Sequence, residues 1–295
     1  MIIYCSDSGL DVLQSPERPV VHFDGTFNPA PLHFTQILIV RATIGSNNVP
    51  VAYCILEDKS GPSYNLVLDE LQAAAPLWNP KGIVLDFELA ELNAVNRAFP
   101  TSAQWKQCCH FHFCQCHLRR FKKIPDYTTN QPMKELLNRV YALPFLPVDS
   151  VRDGWQDIKQ QLLNNHPTAT QYVDYVDSTW MDGNYPLSLW NCYDRTLNGE
   201  PRTNNVAEGG NNAIRVAFGC SKPVIWKCLD KIKEFQSQTD LILVQHFSGQ
   251  SNGLKPRRKW VARERRIKSI VEAFNAGTDR MTYLANVGYL FAIKV

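Results

Sequence analysis

Two acidic residues stand at the ends of two strongly apolar segments of the chain. Asp24 follows Val20-Val21-His22-Phe23, and Asp86 follows Gly82-Ile83-Val84-Leu85. Each segment has the composition of a buried strand, so each delivers a carboxylate at or near a strand end. Carboxylates on adjacent strands repel each other unless a cation lies between them, and Mg²⁺ and Mn²⁺ prefer such oxygen ligands. The pattern predicts a shared divalent cation site; the alternative is two turn residues that happen to end strands.

A third acid, Glu208, follows the polar segment Arg202-Thr203-Asn204-Asn205. Asparagine is a favoured helix cap, so Glu208 is expected in the first turn or so of a helix. A carboxylate there also interacts favourably with the helix dipole, which is the simpler explanation of its presence. The following Gly209-Gly210 costs a helix about 1 kcal/mol per residue relative to Ala. Close approach of a backbone or a ligand would explain that cost and favours Glu208 as a site residue.

A dense group of thiols and imidazoles runs from Cys108 to His117. It invites a zinc interpretation, but there is no C-x2-C pair and no second ligand pair at the distance found in zinc fingers. The pattern over 104–113 predicts a strand, and a strand would point Cys109 and His112 to opposite faces. We therefore expect no zinc site, and interpret the segment as a partly buried Cys/His pair that braces the active site.

Composition sets the broad class of protein. The 295 residues are 44% hydrophobic and 20% charged, which is typical of a globular protein with one large domain or two. No run of 18 apolar residues predicts a membrane span, and the N-terminus lacks the pattern of a signal peptide. Nine cysteines, including the adjacent Cys108 and Cys109, do not resemble a secreted disulfide framework. We therefore expect a reducing, intracellular compartment.

Positive charge is concentrated in two segments, although the net charge is only +3. Eight Lys or Arg residues and one acid lie between Lys255 and Lys268. A second group is Arg119-Arg120-Phe121-Lys122-Lys123. Such groups are either surfaces that bind nucleic acid or simply solvated helix faces.

The elements that must position the acids form a mixed pattern. Strands are predicted at 20–27, 34–43 and 49–56, then a helix from Gly61, a strand at 82–87, a helix that stops at Pro100, and the strand at 104–113. This order predicts an α/β fold, a mixed sheet covered by helices. We divide the chain into a lead-in (1–19), a first part of the core (20–126), an α-helical insertion (127–200), core helices that carry Glu208 (201–247) and a basic helical tail (248–295).

Taken in order, these motifs resemble the transposase domain of Mutator-like elements, the MULE family, over roughly residues 6–240. The first matching residues are Asp24-Gly25-Thr26-Phe27 with Pro31 and Gln36, and Asp86-Phe87-Glu88-Leu89-Ala90 with Asn93-Ala94 and Phe99-Pro100. The next are Cys109-His110-Phe111-His112-Phe113 with Gln115, Trp190-Asn191 with Tyr193-Asp194-Arg195, and Thr203-Asn204-Asn205 with Glu208-Gly209. Each motif is weak by itself, but the ordered series is specific.

The resemblance implies a ribonuclease H-like fold and a DDE active site, here Asp24, Asp86 and Glu208. These acids would bind two divalent cations, Mg²⁺ or Mn²⁺. Cys109 and His112 match the C-x2-H motif of the family. The implied partner is DNA, both transposon ends and target; a homo-oligomer, a nuclear location and no membrane are further expectations. The residues expected to contact DNA are Arg119, Arg120, Arg202, Asn204, Asn205, Lys255, Arg257, Arg258, Lys259, Arg263, Arg265 and Arg266.

The function expected from the resemblance is metal-dependent hydrolysis of DNA phosphodiester bonds and strand transfer. Two departures from the family also fit a truncated or inactive copy: the chain begins too close to Asp24 for the zinc-binding module that members often carry, and Gly210 replaces a bulkier residue. One alternative is a domesticated, non-catalytic scaffold that binds DNA or proteins in gene regulation. A nuclease that cuts RNA on the same fold is another.

Overall fold

The fold is described from a computed structural model of the chain. The described residues are 1–45, 47–101, 105–125, 127, 129–203, 205–250, 258–275 and 277–291, without the side chains of 205–208. The chain separates into two compact units, which we describe individually. Unit 1 comprises 1–106 and 204–255, and unit 2 comprises 107–203 and 256–295. The finer division into five segments stays a prediction.

A six-stranded mixed sheet forms the centre of unit 1 and ends with β6 at the start of unit 2. Its strands are β1 (Ile2–Cys5), β2 (Val20–Thr26), β3 (Gln36–Ile44), β4 (Asn47–Leu56), β5 (Gly82–Leu85) and β6 (Trp105–Cys108), in the order β1-β4-β3-β2-β5-β6. Strands β2, β3 and β4 form an antiparallel meander, and β5 pairs with β2 in parallel. From β2 to β6 this is the strand arrangement of a ribonuclease H-like sheet. The predicted fold class is therefore confirmed.

Helices make up most of the remaining described chain. They are α1 (Asp7–Leu13), α2 (Gly61–Ala74), α3 (Leu89–Ala98), α4 (His110–Phe121), α5 (Gln131–Ala142), α6 (Val151–Asn165), α7 (Thr170–Val176), α8 (Leu187–Trp190), α9 (Tyr193–Asn198), α10 (Asn205–Phe218), α11 (Ile225–Phe247), α12 (Arg258–Glu272) and α13 (Arg280–Tyr289). In the described ranges, no helix combines the length and apolar character needed to cross a bilayer.

Helices cover both faces of the sheet in unit 1. On one face, Phe23 of β2 packs on Trp78, which contacts Phe99 edge to face at 4.8 Å between ring centroids. On the other face, residues of β3 and β4 form a buried cluster with α10 and α11. The cluster includes Ile37, Ile39, Tyr53, Ile55, Ile214, Phe218, Cys228 and Ile232. The alternating side chains of each strand thus bury apolar groups on both faces, which is why the strands read as continuous apolar runs.

Unit 2 is helical in its described part apart from the end of β6. Helix α13 packs against α5, where Gly288 allows close approach because a Cβ would lie 2.4 Å from the Asn138 carbonyl oxygen. The Tyr283 hydroxyl donates to the Phe145 carbonyl oxygen at 2.5 Å. Residues 280–289 were not predicted as a separate helix. They are an integral part of the core of unit 2 because Leu284 and Val287 are fully buried.

The description of residues 1–19 as a loose lead-in needs correction. Strand β1 pairs with β4 in antiparallel register, with Tyr4 opposite Tyr53. Helix α1 follows, and the Ser6 side chain caps it by accepting a hydrogen bond from the Gly9 amide. The helix contributes Val12 and Leu13 to the core. The four-residue strand and seven-residue helix are too short to give a periodic signal, so the lead-in reading missed both.

The predicted strand at 104–113 is wrong beyond Cys108. Helix α4 begins at His110, and Cys109 is its N-cap residue. Its buried residues recur at helical spacing: His110, Phe113, Cys114, His117, Leu118 and Phe121. The period is obscured in the sequence because thiol and imidazole side chains occupy several of these positions. Cys109 and His112 therefore lie at the start of one helix and not on opposite faces of a strand.

Candidate active site

Asp24 and Asp86 lie on neighbouring strands. The parallel register pairs Val21 with Ile83 and His22 with Val84. Continued by two residues, it brings Asp24 level with Asp86, which directly follows β5. Adjacent strands are about 4.8 Å apart, so the two backbones approach as a shared cation site requires. Asp24 is 5% exposed, so its carboxylate must be balanced by nearby polar or positive groups.

Helix α10 contributes one such group. The Asn211 amide donates from Nδ2 to Asp24 Oδ2 at 2.7 Å. Asn211 is itself 8% exposed, and its Oδ1 atom accepts no hydrogen bond within the described part of the chain. The sequence signal for this contact is the spacing of Asn211, three residues after Glu208.

The third predicted acid is only partly described. Glu208 belongs to α10, but its side chain lies outside the described residues, as do Asn204 and the side chain of Asn205. Residues three apart on a helix share a face, so the backbone at 208 lies one turn before Asn211 on the helix that reaches Asp24. Among the side chains that are described, no three His, Cys, Asp or Glu form a group that could hold a metal ion. The three-acid site therefore stays a prediction.

A buried guanidinium lies on the same face of the sheet. Arg41 of β3 donates from Nε to Asn48 Oδ1 at 2.7 Å and from Nη2 to the Asn48 carbonyl at 2.8 Å. Burial lowers the pKa of Arg41, while Tyr53 and the negative charge of Asp24 raise it. Arg41 thus supplies positive charge in the neighbourhood of Asp24. The sequence analysis missed this residue because it lies in the middle of an apolar strand.

Gly210 makes room for that guanidinium. A Cβ at position 210 would lie 2.7 to 2.9 Å from three atoms of the Arg41 guanidinium. The close approach predicted for Gly209-Gly210 therefore occurs at Gly210, and the approaching group is the side chain of Arg41. At Gly209, by contrast, a Cβ would meet nothing within 4 Å. The Arg41 guanidinium occupies the space that a side chain at position 210 would need.

A second polar group lies at the start of α3. The Gln36 amide donates to the Tyr64 hydroxyl at 2.7 Å, and this hydroxyl donates to Glu88 Oε1 at 2.8 Å. Glu88 also pairs with Lys59. Near them, Glu91 is 4% exposed. Burial raises its pKa well above the ordinary value, the charges of Asp86, Glu88 and Asp24 add to the rise, and Lys59 opposes it. Glu91 is a fourth acid that the sequence analysis missed.

The Cys/His segment in unit 2 is packed as core. Cys109 is fully buried. His110 donates from Nε2 to the Tyr141 carbonyl at 2.8 Å, and His117 Nδ1 bonds with the Tyr172 hydroxyl at 2.8 Å. Burial lowers the pKa of each histidine to about 3. The two imidazoles are therefore neutral core side chains at physiological pH.

Helix α12 has a basic exposed face. Arg258, Lys259, Arg265 and Arg266 are exposed, and their spacing of one, seven and eight residues places them on one side. Ile267 and Val271 are buried on the opposite side. Lys255 and Arg257, also predicted to contact DNA, lie outside the described residues.

The other predicted DNA contacts differ in exposure. Arg119 and Arg120 are exposed on α4, and the Arg120 guanidinium lies 4.7 Å from the Tyr175 ring centroid. Arg202 and Arg263 are engaged within unit 2. Arg202 forms an ion pair with Glu264, and the Arg263 guanidinium lies 4.6 Å from the Phe291 ring centroid. The first pair is thus available for phosphate contacts, whereas the second pair stabilises unit 2.

Two of three comparisons with known proteins find a similarity. A search of curated proteins finds no match. Among solved structures, the chain is similar to the Drosophila P element transposase strand transfer complex, with 12% identity and a TM-score of 0.29, over 97% of this chain and 68% of that chain. The family model of the MULE transposase domain matches residues 20–116, which include Asp24, Asp86, Cys109 and His112. This match confirms the resemblance to the MULE transposase domain over residues 20–116 and supports a transposase-type function.

Proposed function

We propose that the chain is a DDE-type transposase domain, which hydrolyses DNA phosphodiester bonds and transfers DNA strands. Asp24, Asp86 and Glu208 would bind two divalent cations, Mg²⁺ or Mn²⁺. One observation carries the proposal: Asp24 and Asp86 come level on adjacent parallel strands, and the helix that contains Glu208 contacts Asp24 directly through Asn211.

The donor atoms near Asp24 suit hard divalent cations. They are carboxylate oxygens and the buried amide oxygen of Asn211, which accepts no hydrogen bond within the described residues. Bound cations would activate the attacking water or 3′-hydroxyl and stabilise the leaving oxygen. The chain itself positions these groups. Asn211 fixes the Asp24 carboxylate, and burial together with the neighbouring carboxylates raises the pKa of Glu91.

DNA would be held through its phosphates. The exposed face of α12 presents Arg258, Lys259, Arg265 and Arg266, and α4 presents Arg119 and Arg120. Cationic side chains of this kind bind the backbone without reading base sequence, and their contribution falls as salt rises. Asn204, Asn205, Lys255 and Arg257 are proposed contacts from outside the described residues or side chains. A DNA partner implies a nuclear location, and joining two transposon ends would be served by a homo-oligomer.

The test is Mn²⁺-dependent nicking of duplex DNA by the purified full chain. We expect Asp24→Asn, Asp86→Asn and Glu208→Gln each to abolish nicking while the protein remains folded. Asp69→Asn is the matched control, because Asp69 is an exposed carboxylate paired with Arg97. No nicking by the folded wild type, or equal nicking by the three variants, would refute the proposal. An RNA–DNA hybrid tested in parallel identifies a nuclease that cuts RNA.

A second candidate function is a non-catalytic scaffold that binds DNA in gene regulation. Arg41 favours it, because a fixed positive charge near Asp24 offsets part of the negative charge that would attract a cation. A scaffold would bind duplex DNA with the salt dependence expected of α12, yet would not cut it in Mg²⁺ or Mn²⁺. Arg265→Gln combined with Arg266→Gln would weaken binding under either function. The nicking assay therefore separates the two.

A further inference from the structure

Asn211 is a polar residue on the buried face of α10, where the helical pattern predicts an apolar residue. Residues 211, 214 and 218 share one face of α10, and Ile214 and Phe218 belong to the buried cluster with β3 and β4. Asparagine is also a weaker helix former than the aliphatic residues Ala and Leu. Packing alone would therefore favour Leu or Met at 211. Departures of this kind from the local pattern are typical of functional sites.

The two ends of the Asn211 amide have different surroundings. Its Nδ2 donates to Asp24 Oδ2 at 2.7 Å, which fixes the orientation of the amide plane. Its Oδ1 is buried and, within the described part of the chain, accepts no hydrogen bond. A buried acceptor left in this way destabilises the fold, so native proteins rarely keep one without a reason. A bound cation or a water on that cation would remove the cost.

We propose that Asn211 is a further member of the divalent cation site, in addition to the three acids. Its Nδ2 holds Asp24 in place, and its Oδ1 is a neutral oxygen ligand, either to the cation or to a water bound to it. This inference rests on the proposed function. An amide oxygen adds coordination without adding negative charge, which suits a site that already contains several carboxylates.

The test measures Mn²⁺ binding by the full chain, without DNA and without turnover. Free Mn²⁺ is followed by electron paramagnetic resonance, and the melting temperature is recorded as a function of Mn²⁺ concentration. Asn211→Leu keeps the size but removes both polar atoms. Asn211→Asp keeps the shape and an oxygen ligand. Asn212→Leu and Asn212→Asp are the matched controls, because Asn212 is the next residue along and is exposed.

We expect Asn211→Leu to weaken Mn²⁺ binding at least about tenfold, in line with other residues that support metal ligands. Asn211→Asp should bind Mn²⁺, with a lower melting temperature in its absence and a larger rise on its addition, because two carboxylates then face each other. The Asn212 variants should behave as wild type. Unchanged Mn²⁺ affinity in Asn211→Leu, with the same loss of melting temperature at every Mn²⁺ concentration, would show a purely structural role and overturn the inference.

Two further variants separate this inference from the proposed function. If Asp24→Asn and Asp86→Asn lose Mn²⁺ binding and Asn211→Leu does not, the inference fails and the DDE site stands. If the wild type binds no Mn²⁺, both fail. Should Asn211→Leu not fold, Asn211→Ser replaces it. Its shorter side chain cannot bridge Asp24 and a cation, so it should also lose affinity, and wild-type affinity would overturn the inference.

Discussion

The Asp24 region in unit 1 and the interior around α4 in unit 2 both bury polar or ionisable residues of the kinds found in catalytic and metal sites. Near Asp24, the buried groups carry opposite charges or bond to charged groups, as Arg41 and Asn211 do. Around α4, His110 and His117 each bond to an uncharged tyrosine oxygen and are packed among aromatic rings. Residue type therefore does not identify a site, whereas charged or polar partners around the buried groups do.

The largest expected effect tests whether α4 is core. Phe113 is buried and stacks on Trp190 at 5.0 Å, with Trp180 at 4.9 Å edge to face. We expect Phe113→Ala to lose about 3 to 5 kcal/mol of unfolding free energy, because the cavity cannot be refilled. Phe111→Ala, two residues earlier and 37% exposed, is the control and should lose far less. Urea unfolding measures both; similar losses would contradict the assignment of α4 as core.

The second effect is a loss of stability in acid. The pKa of His110 and of His117 is about 3 in the folded protein, below the value of about 6.5 in the unfolded chain. The unfolded state therefore binds more protons between these values. Stability is complete above pH 6.5 and falls as pH drops toward 3, by up to about 1.4 kcal/mol per pH unit for each histidine.

Urea unfolding at pH 7, 6 and 5 measures this slope. His117→Phe should remove about half of it, since only His110 then gains a proton on unfolding. The exposed His33 is the control, and His33→Asn suits its positive φ of 70°. If unfolding free energy depends on pH equally in wild type and His117→Phe, protonation of the His117 imidazole does not cause the loss of stability in acid.

The third effect concerns the two adjacent glycines of α10, whose substitution by alanine should change stability in opposite directions. Gly210→Ala places a Cβ within 2.9 Å of the Arg41 guanidinium, and we expect a loss of about 1 to 3 kcal/mol through overpacking. Gly209→Ala meets nothing within 4 Å and should gain up to about 1 kcal/mol of helix propensity. Thermal unfolding of both variants gives the comparison. A gain in both would show that Arg41 moves aside at no cost.

The smallest effect concerns the buried acid Glu91. Its pKa is raised in the folded state, so its contribution to stability is complete below the unfolded value and is lost as pH rises above it. Glu91→Gln should therefore be more stable than wild type at pH 7, and the difference should vanish at pH 4. Glu70→Gln, on the exposed face of α2, is the control and should change stability far less. Chemical unfolding at the two pH values decides.

Local pattern predicted much of the fold but less of the site. Strands β2 to β5 are predominantly apolar, and the apolar face of α2 repeats at helical spacing, so both were predictable from neighbouring residues. The match of residues 20–116 to the MULE model supports the order of the motifs there. Arg41 could not be predicted, because its position depends on Gly210, a residue far along the chain that packs over it. Contacts of that kind leave no local periodicity.

The prediction at α4 failed for a different reason. The segment from Cys108 to His117 carries both the helical period of a buried face and a concentration of potential ligands, and the ligand spacing does not indicate the helix. In the structure the period decides the conformation, because Phe113, Leu118 and Phe121 must be buried whatever the thiols do. A segment rich in cysteine and histidine therefore needs its hydrophobic period examined before its ligand spacing.

Strand β1 has a consequence for the behaviour of the protein in solution. Its four residues pair with Ala52–Ile55 of β4, so the backbone groups of that part of β4 have partners, and the margin of the sheet is the four-residue β1. Without residues 2–5 the ten-residue β4, rich in buried aliphatic side chains, would present an open margin on which a second chain could add as a strand. A four-residue edge strand offers few groups for pairing, so β1 reduces self-association into fibrils or aggregates.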